Sequence, residues 1–116
     1  MDLLGRDLRG ASGEEGEVMK RFHFALNVRD LKKSVRDYSR RLGCKPSVVV
    51  PKKYALWRTS SLNFSIRVAS PAGKLRHLGW EVGTAKLFSK NKDKNGVIWE
   101  RFTAAQQRAE IRALWP

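Results

Sequence analysis

Three side chains in this sequence have the chemistry to share one site: His23, His77 and Glu100. Two imidazoles and a carboxylate can hold a divalent metal, line a metal-free pocket, or satisfy one another's hydrogen bonds as ordinary buried groups. Each lies in a short apolar stretch: FHFALNV, RHLGWEV and GVIWERF. Whether they meet depends on the elements that carry them.

Residues 21–28 alternate. Phe22, Phe24, Leu26 and Val28 fall on one face of a strand, and His23, Ala25 and Asn27 on the other. Asp30 can cap a following helix, in which Leu31, Val35, Tyr38 and Leu42 recur on one side. Gly43 suits the left-handed turn that ends it. The apolar faces of strand and helix can bury each other, which leaves His23 on the opposite face of a sheet. Strands are expected at SVVV, YALWR (54–58) and LNFSIRV (62–68), so residues 21–69 read as a β-α-β-β-β module. In 62–68 the residues Asn63, Ser65 and Arg67 share the polar face. They can orient an anionic or oxygen-rich ligand, or form a solvated edge.

After a loop at 70–73 the pattern restarts. In 75–82, His77, Gly79 and Glu81 share one face and Leu78, Trp80 and Val82 the other. Glu81 can act as a general base or anchor Arg67. Residues 83–94 are lysine-rich and have room for a brief helix around 85–88. Asp93 to Gly96 form a hairpin-type turn, and 97–102 form a strand with Ile98, Glu100 and Phe102 on one side. Thr103 can cap a last helix over 104–114. A mid-strand carboxylate such as Glu100 is costly unless paired or metal-bound. Trp80 and Trp99 fall on the helix-packing side, which predicts core positions.

The spacing H-x6-DL-x3-V-x2-Y-x3-LG, carried by His23, Asp30, Leu31, Val35, Tyr38, Leu42 and Gly43, resembles the vicinal oxygen chelate superfamily. That group includes glyoxalase I, extradiol dioxygenases, fosfomycin-resistance enzymes and bleomycin-binding proteins. HLGWEV and DKNGVIWERF resemble its second-module opening and closing strands, so the likeness covers most of residues 21–102. It implies an α+β fold of paired βαβββ modules, with a mostly antiparallel sheet curled into a cup and helices on the outer face. It also implies a divalent metal (iron, manganese, zinc or nickel) held by His23, His77 and Glu100, with Glu81 and Glu100 as catalytic groups. Asn63, Ser65 and Arg67 would then contact substrate. The expected activity is that of a lyase, isomerase or oxygenase on a small oxygenated anion. A metal-free, bleomycin-resistance-like binding protein is the alternative, and a basic nucleic-acid-associated protein the third reading. Only 14 residues separate Val82 from Val97, so the second module, 74–103, is shortened internally. Exposed strand edges then favour a homodimer.

Bulk properties bound these readings. The chain's 116 residues make one domain, 19–116, preceded by a glycine-rich, charged stretch at 1–18 that reads as a flexible tail. Met19 could be the biological start. The net charge of +13 is uneven: residues 1–18 carry −3, so the remainder carries +16 and attracts anions. No zinc-finger, helix-turn-helix or aromatic-basic RNA motif supports a nucleic-acid module. Cys44 is alone, which rules out an internal disulfide or a thiolate cluster; the first 17 residues do not read as a secretory signal, and no apolar run is long enough to read as a membrane span. A cytoplasmic location is the expectation.

Overall fold

The computed structural model describes residues 20–116; the expected tail and the question of Met19 lie outside them. The described chain is α+β, with two helices and a seven-stranded mixed sheet that does not close into a barrel. Its elements are β1 (Lys20–Val28), α1 (Leu31–Leu42), β2 (Val48–Val50), β3 (Tyr54–Arg58), β4 (Leu62–Val68), β5 (Leu75–Val82), β6 (Ser89–Lys92), β7 (Ile98–Phe102) and α2 (Ala104–Leu114). The strand order is β2-β3-β4-β1-β5-β7-β6.

The first half forms as its sequence dictates. The Asp30 side chain accepts from the Lys33 amide at 2.9 Å and starts α1. Gly43, at φ 75°, stops it and donates its N–H to Ser39. Arg40 and Arg41 sit in the last turn, where cations complement the helix dipole, and both pair with Asp37. The apolar side of α1 covers Val28, Ala55, Trp57, Phe64 and Ile66, with Tyr38 edge-on to Trp57 and Phe64. β1 runs parallel to β4, and β3 is antiparallel to β4.

The second half repeats that arrangement without its helix. β5 runs parallel to β7, and β6 is antiparallel to β7. β1 and β5 join the halves antiparallel. His23 lies two residues before Ala25, which pairs with Ser65; His77 lies two residues before Gly79, which pairs with Glu100. Ser65 is therefore the first-half counterpart of Glu100.

Four expectations need correction. No helix forms around 85–88. That segment is turns that tuck Ala85 and Phe88 inward, with Phe88 stacked on Phe102. It leads into β6, whose residues Ser89, Lys90, Asn91 and Lys92 are all exposed. The sheet is open, so the expected cup is only partly walled. The helices are not both on the outer face. α1 covers one side, whereas α2 lies on the His23 side, where Ile111 packs with Tyr54 and Leu56. The Thr103–Gln106 capping box starts α2 there, and the Gln106 amide also donates to the Ala85 carbonyl. Finally, Trp80 is not core. It is 37% exposed, because among the described residues no helix covers the second half of the outer face. Its ring meets Phe22 edge-on, with the Lys20 ammonium 5.0 Å from the ring centre. Trp99 is half-buried and donates its indole N–H to Asp93.

Candidate metal centre

His23, His77 and Glu100 converge. Each faces the α2 side from the middle of the sheet, on β1, β5 and β7 respectively. His77 Nε2 is 2.9 Å from His23 Nε2 and 3.1 Å from Glu100 Oε1, and His23 Nε2 is 3.7 Å from the same oxygen. Metal–ligand bonds of about 2.1 Å place neighbouring ligand atoms about 3.0 Å apart at right angles and about 3.4 Å apart in a tetrahedron. The observed triangle fits a single ion bound on one face, and the donor set of two imidazoles and one carboxylate fits a divalent transition metal.

Gly79 makes this convergence possible. A Cβ there would run into the Glu100 carbonyl oxygen and lie 2.9 Å from that residue's carbonyl carbon and amide nitrogen. Only glycine lets β7 approach β5 closely enough at the level of the site.

The surrounding network fixes which nitrogen of His23 is bare. The Glu81 carboxylate can only accept, so the Asn63 group 2.8 Å from Glu81 Oε1 is the amide NH2. The other end of that side chain, Oδ1, therefore faces His23 Nδ1 at 2.9 Å, and the Asn63 backbone carbonyl lies 3.0 Å from the same nitrogen. Both are acceptors, so Nδ1 carries the proton and Nε2 presents its lone pair to His77 and Glu100. Gln107 of α2 completes the set: its amide donates to Asn63 Oδ1 at 3.0 Å and accepts from Asn63 Nδ2 at 2.8 Å.

Electrostatics favours the ligand forms of both imidazoles. Burial lowers the pKa of His23 despite the opposing bonds to Asn63. Burial, with His23, Arg76 and Lys90 nearby, lowers that of His77 to about 3. Both rings are neutral at ordinary pH, as metal ligation requires. Burial raises Glu100 to about 7, against the pull of Lys90 and Arg76. For Glu100, burial thus outweighs the two nearby cations, and its ionised form is under-compensated.

The remaining expected site residues divide. Ser65 and Arg67 line the same cavity, a cleft of about 560 Å³ open to solvent, together with His23, His77 and Glu100. Asn63 is fully buried behind His23 and does not line it. Glu81 also lies away from it. Its Oε1 accepts from Arg58 Nε and Asn63, and its Oε2 from Arg58 and Arg21. Burial pushes its pKa up, but the bonds to Arg58 and Asn63 and the charges of Arg58 and Arg21 outweigh that and hold it below the ordinary value. With both oxygens committed to cations and an amide, Glu81 is placed to orient Asn63, and Arg58 and Arg21, not Arg67, are its anchors.

Arg76 is the cavity residue that alternation misses. A strict period of two puts it beside Leu78 on the outer face. The β1–β5 register shifts, however, between Ala25, paired with His77, and Leu26, paired with Leu75. Arg76 is the extra residue of this bulge and turns into the cavity. No protein-family model matches the chain, and no curated protein gives a significant match.

Proposed function

We propose that this chain is a metal-dependent enzyme of the vicinal oxygen chelate type, with a shortened second βαβββ module. His23, His77 and Glu100 are its ligands to a divalent iron, manganese, zinc or nickel ion. Its reaction is a lyase, isomerase or oxygenase step on a small oxygenated anion. The observation that carries this reading is the convergence of two imidazole Nε2 atoms and a buried carboxylate oxygen at the spacing of ligand atoms around one ion. A bound ion would chelate adjacent substrate oxygens and act there as a Lewis acid. The protein's own part is to hold both imidazoles neutral, to lock the His23 tautomer through Asn63, and to shield the site with Phe88 and Phe102. Ser65 and Arg67 orient substrate. The parallel pairs β1–β4 and β5–β7, each followed by an antiparallel neighbour, support the paired-module reading. A second copy of the chain over Phe22, Trp80 and Trp99 would give those rings the cover that they lack.

One observation favours a metal-free binding protein instead: a single proton between His23 Nε2 and His77 Nε2 closes the 2.9 Å gap without an ion. Metal analysis and titration calorimetry on untagged protein decide between the two. The enzyme reading expects a stoichiometric ion, or micromolar affinity for Mn2+ or Zn2+ after stripping. It also expects a loss of at least about a hundredfold on His77→Ala or Glu100→Ala. Wild-type protein that binds no divalent metal more tightly than those variants leaves the metal-free reading standing.

A further inference from the structure

The strand bulge does more than admit one arginine. Arg67 on β4 and Arg76 on β5 reach the same cavity from opposite sides of β1. Among the described residues, neither has a carboxylate within ion-pair distance, although ion pairs elsewhere are well formed. Arg67 is held by stacking, its guanidinium carbon 5.4 Å from the centre of the Trp115 ring, which in turn packs on Tyr54. Arg76 is part-buried in the same cavity, close enough to Arg67 and to Glu100 to feel both charges. Two guanidiniums share this cavity with no carboxylate in ion-pair contact with either, and Glu100 is the negative charge near Arg76, so an added anion between them would be stabilising. The cavity also carries Lys74 and Lys90, against Glu100 and Glu110, so its lining has two cations in excess.

From this geometry we infer that Arg67 and Arg76 form a clamp for a doubly charged oxyanion, a phosphate or phosphonate group, placed beside the His23–His77–Glu100 cluster. The inference deepens the enzyme reading by naming the substrate class, and it rests on that reading only for the clamp's role in catalysis. Planar guanidinium forks match the oxygens of such a group in pairs, and two arginines supply the two charges that one dianion neutralises. A substrate of this class would place its charged end between the arginines and its oxygenated carbons toward the two histidines.

The test is calorimetric titration of metal-stripped full-length protein in EDTA, with methylphosphonate as the probe and acetate as the monoanion control, at fixed ionic strength. Arg67→Gln and Arg76→Gln should each weaken methylphosphonate binding about tenfold or more, the scale of one lost charged hydrogen-bond pair. Arg101→Gln, an exposed arginine on the opposite face of β7, should leave it unchanged. Acetate should bind at least about tenfold more weakly than methylphosphonate. Arg76→Lys, which keeps the charge but not the fork, should fall between wild type and Arg76→Gln and guards against a folding defect. Equal losses in Arg101→Gln, or acetate binding as tightly as methylphosphonate, would overturn the clamp. Because the probe is titrated without metal, methylphosphonate binding that depends on both arginines upholds the clamp even if the three-ligand centre binds no ion. Conversely, Mn2+ binding to a protein that ignores methylphosphonate refutes the clamp alone.

Discussion

In β1–β4–β3 the parallel pair carries α1 on its outer side, and Trp57 beneath that helix is fully buried. In β5–β7–β6 the same pairing carries no helix on that side among the described residues, and Trp80 is 37% exposed. The inner face reverses the contrast. At matching positions the complete half offers Ser65 and the shortened half Glu100, so two of the three candidate ligands come from the half with the thinner scaffold. Stability and chemistry are thus divided between halves built on one pattern. The first half supplies a packed core and a locked histidine; the second is held in place by its pairing to β1 and by the inner helix α2.

The largest contrast is expected from the tryptophans. Trp57→Ala should cost about 3–5 kcal/mol in urea unfolding, the usual range for a deleted buried aromatic. Trp80→Ala should cost about 1 kcal/mol, because its ring already faces water. Similar losses at both positions would mean that the second half has cover on its outer face comparable to α1.

Next come Ala25 and Gly79, which occupy matching places in β1 and β5. Gly79→Ala forces β7 away from β5 and should cost about 3 kcal/mol, as overpacking does in a tight core. Ala25→Gly should cost about 1 kcal/mol. Metal affinity should fall with the first and hold with the second.

The Glu100 carboxyl gives a contrast that depends on pH. Its folded pKa of about 7 lies above the ordinary value of 4.5. The stability it contributes is therefore complete below pH 4.5 and is lost as pH rises through 7. In metal-stripped protein at pH 8 the ionised, buried group should cost on the order of 2 kcal/mol, and Glu100→Gln should recover it. The opposite trend of His77, whose lowered pKa removes stability as pH falls below 6.5, is confined to lower pH, so the comparison is read at pH 8. A variant no more stable than wild type at pH 8 would show that Lys90 and Arg76 fully offset the cost of burying the charge.

The smallest effect separates two roles for Glu81. Glu81→Gln puts an amide where Asn63 needs an acceptor-only partner, and should weaken metal binding about tenfold through the His23 tautomer. A general base at that position would instead lower turnover and leave metal affinity intact.

Most of this architecture is legible in the sequence, because β1, β4, β5 and β7 alternate cleanly and α1 and α2 carry side-chain caps at their starts. The same phases put His23, His77 and Glu100 each on the polar face of its strand; that they meet depends on the β1–β5 and β5–β7 pairing, which the strands' own sequences do not give. What escapes has identifiable causes. β6 reads as loop because SKNK buries nothing and pairs only with β7. The short stretch at 85–88 suggests a helix, but it is irregular: Ala85 and Phe88 turn inward beneath Gln106 while Lys86 and Leu87 stay exposed. Arg76 is hidden by a bulge, which one strand's sequence does not announce, since the register belongs to the pair. Asn63 and Glu81 are legible as polar-face residues, but their place behind His23 depends on α2 and Arg58, which are distant in sequence.

The paired amides of Asn63 and Gln107 have a thermodynamic consequence. Through them α2, which contributes no candidate ligand, is coupled to the imidazole that does. Coupling free energies are reciprocal. Whatever free energy the docked helix adds to ion binding by holding His23 in one tautomer, a bound ion returns to the docking of the helix.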